Sequence, residues 1–165
     1  MKAKSTLILV PLAAMWVVEL VNILVDHRLV EWGILPRTVP GLLGIPLSPL
    51  IHGSPSHALS NSIPFVVLGG AVLMQGARRY VLLSVLVIFV GGGIVWLMAR
   101  ASFHVGASGV VFGYFGYLLA RGWYEHTFKA IAIAVVALVL YGGVLLGLAP
   151  TSSEISWEGH LAGFL

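Results

Sequence analysis

The chain has 165 residues, of which 59% are hydrophobic and only 9% charged, with a mean hydropathy of +1.01. A soluble domain carries about a quarter charged residues. This chain lacks the polar surface to cover itself in water, so the expectation is an all-α, polytopic transmembrane helical bundle in a single domain. The net charge of +3 calls for no nucleic-acid partner, because positive charge held at one face of a bilayer accounts for it; the lack of cysteine excludes disulfides, thiol catalysis and a Cys-based zinc site.

The first apolar segment runs from about Thr6 to Val25, behind Lys2 and Lys4. It imitates a signal peptide, but it is long, carries Glu19 and Asn22 near its far end and has no small-x-small cleavage site there, so it reads as a retained span. Glu19 either pairs across the bundle or faces the interface. A loop from about Asp26 to Ser56 follows, with Pro36, Pro40, Pro46, Pro49 and Pro55. Its semi-apolar run from Gly41 to Leu50 suits the membrane interface better than bulk water. The second span is read from about His57 to Met74, with Pro64 as a kink point, and the third from about Tyr80 to Ala99. The fourth starts at the Gly106 motif, from Ala107 to about Gly122, and the fifth runs from about Ala130 to Leu148. A loop from Ala149 to Trp157 holds Pro150 and Glu154, and a sixth helix begins near Glu158 and reaches Leu165. That last stretch is too short to cross a hydrocarbon core that takes about 20 helical residues, so the expectation is a helix that continues beyond Leu165.

Lysine and arginine counting sets an orientation. Lys2, Lys4, Arg78, Arg79, Arg121 and Lys129 fall on one side; Arg28, Arg37 and Arg100 fall on the other, offset by Asp26, Glu31, Glu154 and Glu158. The N-terminus is therefore expected in the cytoplasm. His57, Ser108 and His160 then all lie at ends of spans near the same, non-cytoplasmic face, a convergence the span boundaries do not impose.

Three groups of polar residues ask for a reason. Gly106-Ala107-Ser108-Gly109 stands at a helix entrance. Such a tetrapeptide is commonly a close-packed helix start with serine as the cap. The alternative is a nucleophile whose small neighbours admit a substrate backbone, with the Ser108 N–H free to face an oxyanion in the first helical turn. His160, between Gly159 and Gly163, is the candidate base, since a serine hydroxyl needs a neighbouring imidazole to take its proton. Phe112, one turn after Ser108, could pack on that imidazole or simply face lipid or core. His57 and Asn61 share a helix face, and both can donate to developing negative charge or make an interhelical hydrogen bond. His52 is more suited to a structural or interfacial part than a catalytic one, His104 reads as a loop histidine, and His27 and His126 as solvated ones. No His-Glu-x-x-His motif and no acidic ligand at helical spacing from a histidine pair is present, so no metal and no other cofactor is expected.

Taken together, His52-x-x-x-x-His57-x-x-x-Asn61 followed by Gly69-Gly70, then Gly106-Ala-Ser-Gly109, then Gly159-His160-Leu-Ala-Gly163 resemble, in order and separation, the signatures of the rhomboid family of intramembrane serine proteases. The resemblance covers about Trp32 to Leu165. It implies a six-helix core with a water-filled cavity open to the outer face. It implies a Ser108–His160 dyad without an acidic third member. His57, Asn61 and the backbone N–H groups of Ala107 and Ser108 would form the oxyanion hole, with Gly106, Gly109, Phe112, Gly163 and His52 in support. The implied substrates are transmembrane segments of other proteins, cut near their outer ends within the lipid bilayer, and the expected location is the cell membrane. Two departures stand out: Trp32-Gly33 and Pro36-Arg37 occur where the family often has Trp-Arg, and Phe112 stands where some members have tyrosine. The rival expectations are a non-catalytic rhomboid-like protein that binds membrane clients, and a small transporter. The second needs a polar path through mid-membrane, whereas the polar residues here gather near one face.

Overall fold

The computed structural model describes residues 2–149 and 156–165. Pro150 and Glu154, read above as loop residues, lie outside the described residues, as do the side chains of Lys2 and Lys4 that enter the charge count. Among the described residues the chain is all-α, and the only extended pairing is a single antiparallel bridge between Ile34 and His104. In order come α1 (Lys2–Leu24), α2 (Val39–Leu47), α3 (Pro55–Leu73), α4 (Ala77–Leu86), α5 (Gly92–Met98), α6 (Ser108–Glu125), α7 (Phe128–Tyr141) and α8 (Trp157–Phe164). A π-helical turn, Val87–Gly91, joins α4 and α5 into one rod, and a 3₁₀ segment, Gly142–Leu148, prolongs α7. Among the described residues, four stretches are long and apolar enough to cross a bilayer: Ser5–Leu24, Pro55–Leu73, Ala77–Met98 and Phe128–Leu148. Leu20, Leu82, Phe89 and Val139 lie exposed on these stretches, as side chains facing lipid would.

Helix α6 is the axis of the bundle. It packs against α3, α4, α7 and α8. Tyr114, Phe115 and Leu118 are buried all round, against Phe65, Leu68, Val72 and Tyr80 from α3 and α4. The Tyr114 hydroxyl, which cannot be left unpaired in an apolar interior, shares a 2.7 Å hydrogen bond with Ser84 Oγ.

The stretch from Asp26 to Ser56, expected as a proline-laden loop, is instead substantially folded. It contains a 3₁₀ turn (Arg28–Trp32), the helix α2 and a second 3₁₀ turn (Ser48–Leu50). Pro40, Pro49 and Pro55 do not prevent this, because each stands at the start of an element, where an amide N–H has no intrahelical partner to lose; Pro46 falls inside α2, next to its last residue. Thr38 caps α2 by accepting from the Gly41 N–H at 3.1 Å. Gly41 and Gly44 let α2 lie directly on the backbone of Leu35 and Gly33. Arg37 then pins the segment to the end of α5, donating to the carbonyls of Ala99 at 2.7 Å and Leu97 at 3.2 Å.

The contact that matters most for the site is α6 against α8. A Cβ added at Gly163 would collide with the Gly109 carbonyl, and one at Gly116 with the Phe164 carbonyl, so the two helices meet backbone to backbone. Neither obstacle is a flexible side chain that could move aside. Gly163→Ala is expected to lower the thermal unfolding midpoint, overpacking of this kind costing about 1–3 kcal/mol. Gly143→Ala, whose methyl would meet no atom within 4 Å, is expected to leave it unchanged. Thermal unfolding of the two variants in the same lipid or detergent checks this.

Candidate active site

Ser108 is the first residue of α6, and the chain reaches it through Gly106, whose φ of +112° is a conformation that a residue with a Cβ rarely adopts. Gly106 is also where two side chains of α3 come closest: an added Cβ would lie 2.8 Å from His57 Nε2 and 3.4 Å from Asn61 Nδ2. The bare glycine thus brings the His57 and Asn61 donors alongside the turn that presents Ser108. On the α3 side, Ser54 caps the helix by accepting from the His57 N–H at 3.2 Å, with Pro55 next in line, which fixes His57 in the first turn.

From α8, His160 Nε2 stands 2.9 Å from Ser108 Oγ. Its other nitrogen, Nδ1, is 2.9 Å from the Gly147 carbonyl oxygen. A carbonyl can only accept, so Nδ1 carries the proton and Nε2 presents its lone pair to the serine hydroxyl. That is the tautomer a general base requires. The Phe112 ring stacks on the imidazole, with centroids 4.3 Å apart and planes 14° from parallel. The ring is therefore held by a hydrogen bond at one edge and an aromatic face along its plane.

His57, Asn61, Ser108, Phe112, Gly147 and His160 line one cavity of about 770 Å³. Asn61 is 6% exposed, and its Nδ2 has no hydrogen-bond partner among the described residues. A buried amide donor left unpaired costs about 1–3 kcal/mol. This one borders the cavity that Ser108 enters, where a substrate oxygen would satisfy it.

Ala107 is placed differently from what the resemblance implies. Its N–H donates to His52 Nε2 at 3.3 Å, and the residue is buried. The amide is engaged behind the site and not free toward the cavity. His52 itself is completely buried, its ring 5.0 Å from that of His57 and edge-on to it, so it backs the Gly106–Ser108 turn from loop side to helix start. Gly106 N–H completes the anchorage by donating to the Ser48 carbonyl at 2.9 Å. Gly109 faces the Gly159 carbonyl, and Gly163 faces Gly109, so both serve the approach of α8.

The structure adds to the sequence reading at three residues. His104 lies in the loop between α5 and α6, as read, but it is 3% exposed and hydrogen-bonded through both ring nitrogens. Glu19, left open between pairing and the interface, is covered by neighbouring side chains, and neither carboxylate oxygen has a partner within hydrogen-bond geometry among the described residues. Gly147 carries its part through a backbone carbonyl, for which no residue type is a signal. Among the described residues, no three His, Cys, Asp or Glu side chains gather as metal ligands would.

Comparison with known proteins gives this arrangement its context. The rhomboid domain family matches residues 41–165. The chain belongs to the rhomboid family. It is 36% identical to an uncharacterised protein of Mycobacterium tuberculosis, over 96% of this chain and 70% of that one. It is 35% identical to an uncharacterised protein of Mycobacterium leprae, over 94% of this chain and 65% of the other. A RHOMBOID-like protein 4 of Arabidopsis thaliana is 28% identical over 69% of this chain and 29% of its own length. The apolar helices and the rhomboid domain together make the chain a multi-pass integral membrane protein of a family of intramembrane proteases.

In this rhomboid chain the turn behind Ser108 depends on a neutral histidine. Burial, reinforced by the neighbouring His57, pushes the His52 pKa down from 6.5 to about 4. The folded protein thus binds fewer protons at His52 than the unfolded chain between those two values, and stability rises with pH there. The contribution is fully present above about pH 6.5 and is lost as pH falls toward 4. Unfolding midpoints measured between pH 7 and pH 4 are expected to fall with acidity, and His52→Gln is expected to flatten that slope.

Proposed function

We propose that this chain is a single-domain serine endopeptidase that cleaves transmembrane segments of other membrane proteins near their non-cytoplasmic end. The observation that carries it is the 2.9 Å approach of His160 Nε2 to Ser108 Oγ inside the cavity, with the imidazole oriented by the Gly147 carbonyl. Ser108 Oγ attacks the carbonyl carbon of the scissile peptide while its proton passes to His160 Nε2. The resulting imidazolium keeps its Nδ1–H on Gly147. Negative charge gathers on the former carbonyl oxygen, for which the Ser108 N–H, the His57 ring and Asn61 Nδ2 are the available donors. When the tetrahedral intermediate collapses, the C–N bond breaks and Nε2 returns its proton to the leaving amine. A water activated by the same nitrogen then hydrolyses the Ser108 ester and frees the hydroxyl.

The charge distribution supports an N-terminus in the cytoplasm of a cell membrane, which puts the cavity on the outer side. A substrate helix must expose its peptide bond to reach Ser108, so segments that unwind easily near that face are the fitting class.

Reconstitution with a model transmembrane substrate tests the proposal. Ser108→Ala is expected to reduce cleavage to background. Asn61→Ala is expected to lower kcat by about 10²–10³ with a smaller change in KM, since its donor acts on charge that develops only in the transition state. Undiminished cleavage by Ser108→Ala would sink the assignment. A folded wild-type chain that neither cleaves nor reacts with a fluorophosphonate would point instead to a non-catalytic, client-binding protein.

A further inference from the structure

The loop between α5 and α6 holds a histidine that the dyad does not use. His104 is 3% exposed, and its backbone pairs with Ile34 in both directions, the His104 N–H donating at 2.9 Å and its carbonyl accepting at 3.0 Å. Its backbone is therefore fixed independently of its ring. The ring spans two groups. Nε2 lies 3.1 Å from the Arg100 carbonyl, and Nδ1 lies 2.6 Å from Ser156 Oγ. The carbonyl can only accept, so Nε2 carries the proton, and Nδ1 receives the Ser156 O–H. Ser156 in turn is the cap of α8: its Oγ accepts from the Gly159 N–H at 3.2 Å, and its carbonyl accepts from the His160 N–H at 3.1 Å. The serine hydroxyl thus donates to His104 and accepts from Gly159, which leaves its rotor no freedom. The same loop grips the first turn of α8 a second time, Arg100 Nη1 lying 3.5 Å from Glu158 Oε2.

We propose that His104 is a positioning residue: through the Ser156 hydroxyl its imidazole holds the first turn of α8, and with it the His160 ring, in register with Ser108. The proposal rests on the Ser108–His160 reading above. Three links connect His104 to His160 without passing through substrate: the Nδ1···Oγ bond, the Oγ···H–N bond to Gly159, and the Ser156 carbonyl that accepts from His160 itself. Each lies within one turn of the base. Behind them the Ile34 pairing ties the loop to the segment preceding α2, so the base is referenced to a part of the bundle that carries no reacting group. Burial holds the His104 pKa below the usual histidine value, which keeps the acceptor lone pair in place near neutral pH; the Arg100 carbonyl and the Glu158 carboxylate oppose that shift, and the Arg100 guanidinium assists it.

The experiment is the rate of fluorophosphonate labelling at Ser108 in lipid, read beside kcat and KM for a transmembrane substrate. His104→Ala is expected to slow labelling and lower kcat by about tenfold to a hundredfold, the cost of displacing a reacting group by about an ångström, with KM unchanged. Ser156→Ala is expected to match it, and the double variant to be no slower than the slower single one, because both substitutions cut one chain of bonds. His104→Asn keeps one donor for Arg100 and one acceptor for Ser156, and is expected to recover most of the rate. A wild-type rate in folded His104→Ala, or losses that multiply in the double variant, would overturn the positioning role. If His104→Ala does not fold, the decision falls to folded His104→Asn and Ser156→Ala: a near-wild-type rate in the first beside a slowed second supports the role, and equal rates in both overturn it. Failure of the wild-type chain to label at Ser108 sinks the dyad itself, and is distinct from wild-type labelling that His104→Ala leaves undiminished.

Discussion

The Gly109 carbonyl and the Gly163 Cα occupy space that side chains fill in most helix pairs, and the rest of the site depends on that approach. In lipid there is no hydrophobic gain from pressing two apolar helices together, so close packing and directed hydrogen bonds must do the work. Glycine on both faces lets the backbones touch, and touching backbones leave little room for rotation or sliding. A base on α8 can then be aimed at a serine on α6 with a precision that longer side chains at the seam would not allow. The chain that carries His160 into place, Gly159-His160-Leu161-Ala162-Gly163, has its aiming residue and its packing residues within one helical turn. Position and chemistry are not separable here.

The second constraint is the treatment of polar groups. A helix interior in a membrane satisfies its own backbone, and an unpaired polar side chain there costs free energy. The bundle meets this rule at Tyr114 with Ser84, and at Asn22, whose Nδ2 donates to the His52 carbonyl at 2.8 Å while its Oδ1 accepts from the Leu29 N–H at 3.0 Å. Against that background, the free Nδ2 of Asn61 is an exception with a location: it borders the cavity that Ser108 and His160 share. Donors held in place before the reaction need no reorganisation when charge appears, which is where electrostatic catalysis draws most of its advantage.

Composition and hydropathy were enough to read a helical membrane bundle, because unbroken apolar runs of about 20 residues satisfy their own backbone in lipid as helices. The side chains of the site were legible for a related reason. Ser108, His57, Asn61 and His160 are polar in apolar surroundings, and each is flagged by its cost. What could not be read is whatever is carried by backbone or by partner geometry. Gly147 acts through a carbonyl, and every residue has one. The engagement of the Ala107 amide depends on His52 lying behind it, a contact 55 residues away in sequence. The folded stretch between α1 and α3 was hidden by its prolines, which signal loops when counted and helix starts only when their positions relative to caps such as Thr38 and Ser54 are known. The pairing of the loop histidine His104 was hidden because its partners, Arg100 on one side and Ser156 on the other, are united only by the fold.

The choice of a carbonyl to orient His160 follows from the surroundings. A carboxylate in that place would fix the same tautomer and would stabilise the imidazolium more strongly. It would also bring a charge into a low-dielectric site, at an effective cost of several kcal/mol before any partner repays it. The Gly147 carbonyl comes from a 3₁₀ segment where the α-helical pattern of hydrogen bonds has already given way, so its acceptor capacity is available without desolvating an ion. A neutral acceptor stabilises the imidazolium less. In the proposed mechanism, more of the barrier is then lowered at the other end of the developing charge separation, by the Ser108 N–H, His57 and Asn61. On the proposed mechanism, a dyad of this kind and a well-furnished oxyanion site are two halves of one solution, and the unpartnered Asn61 amide is what that solution would look like before a substrate arrives.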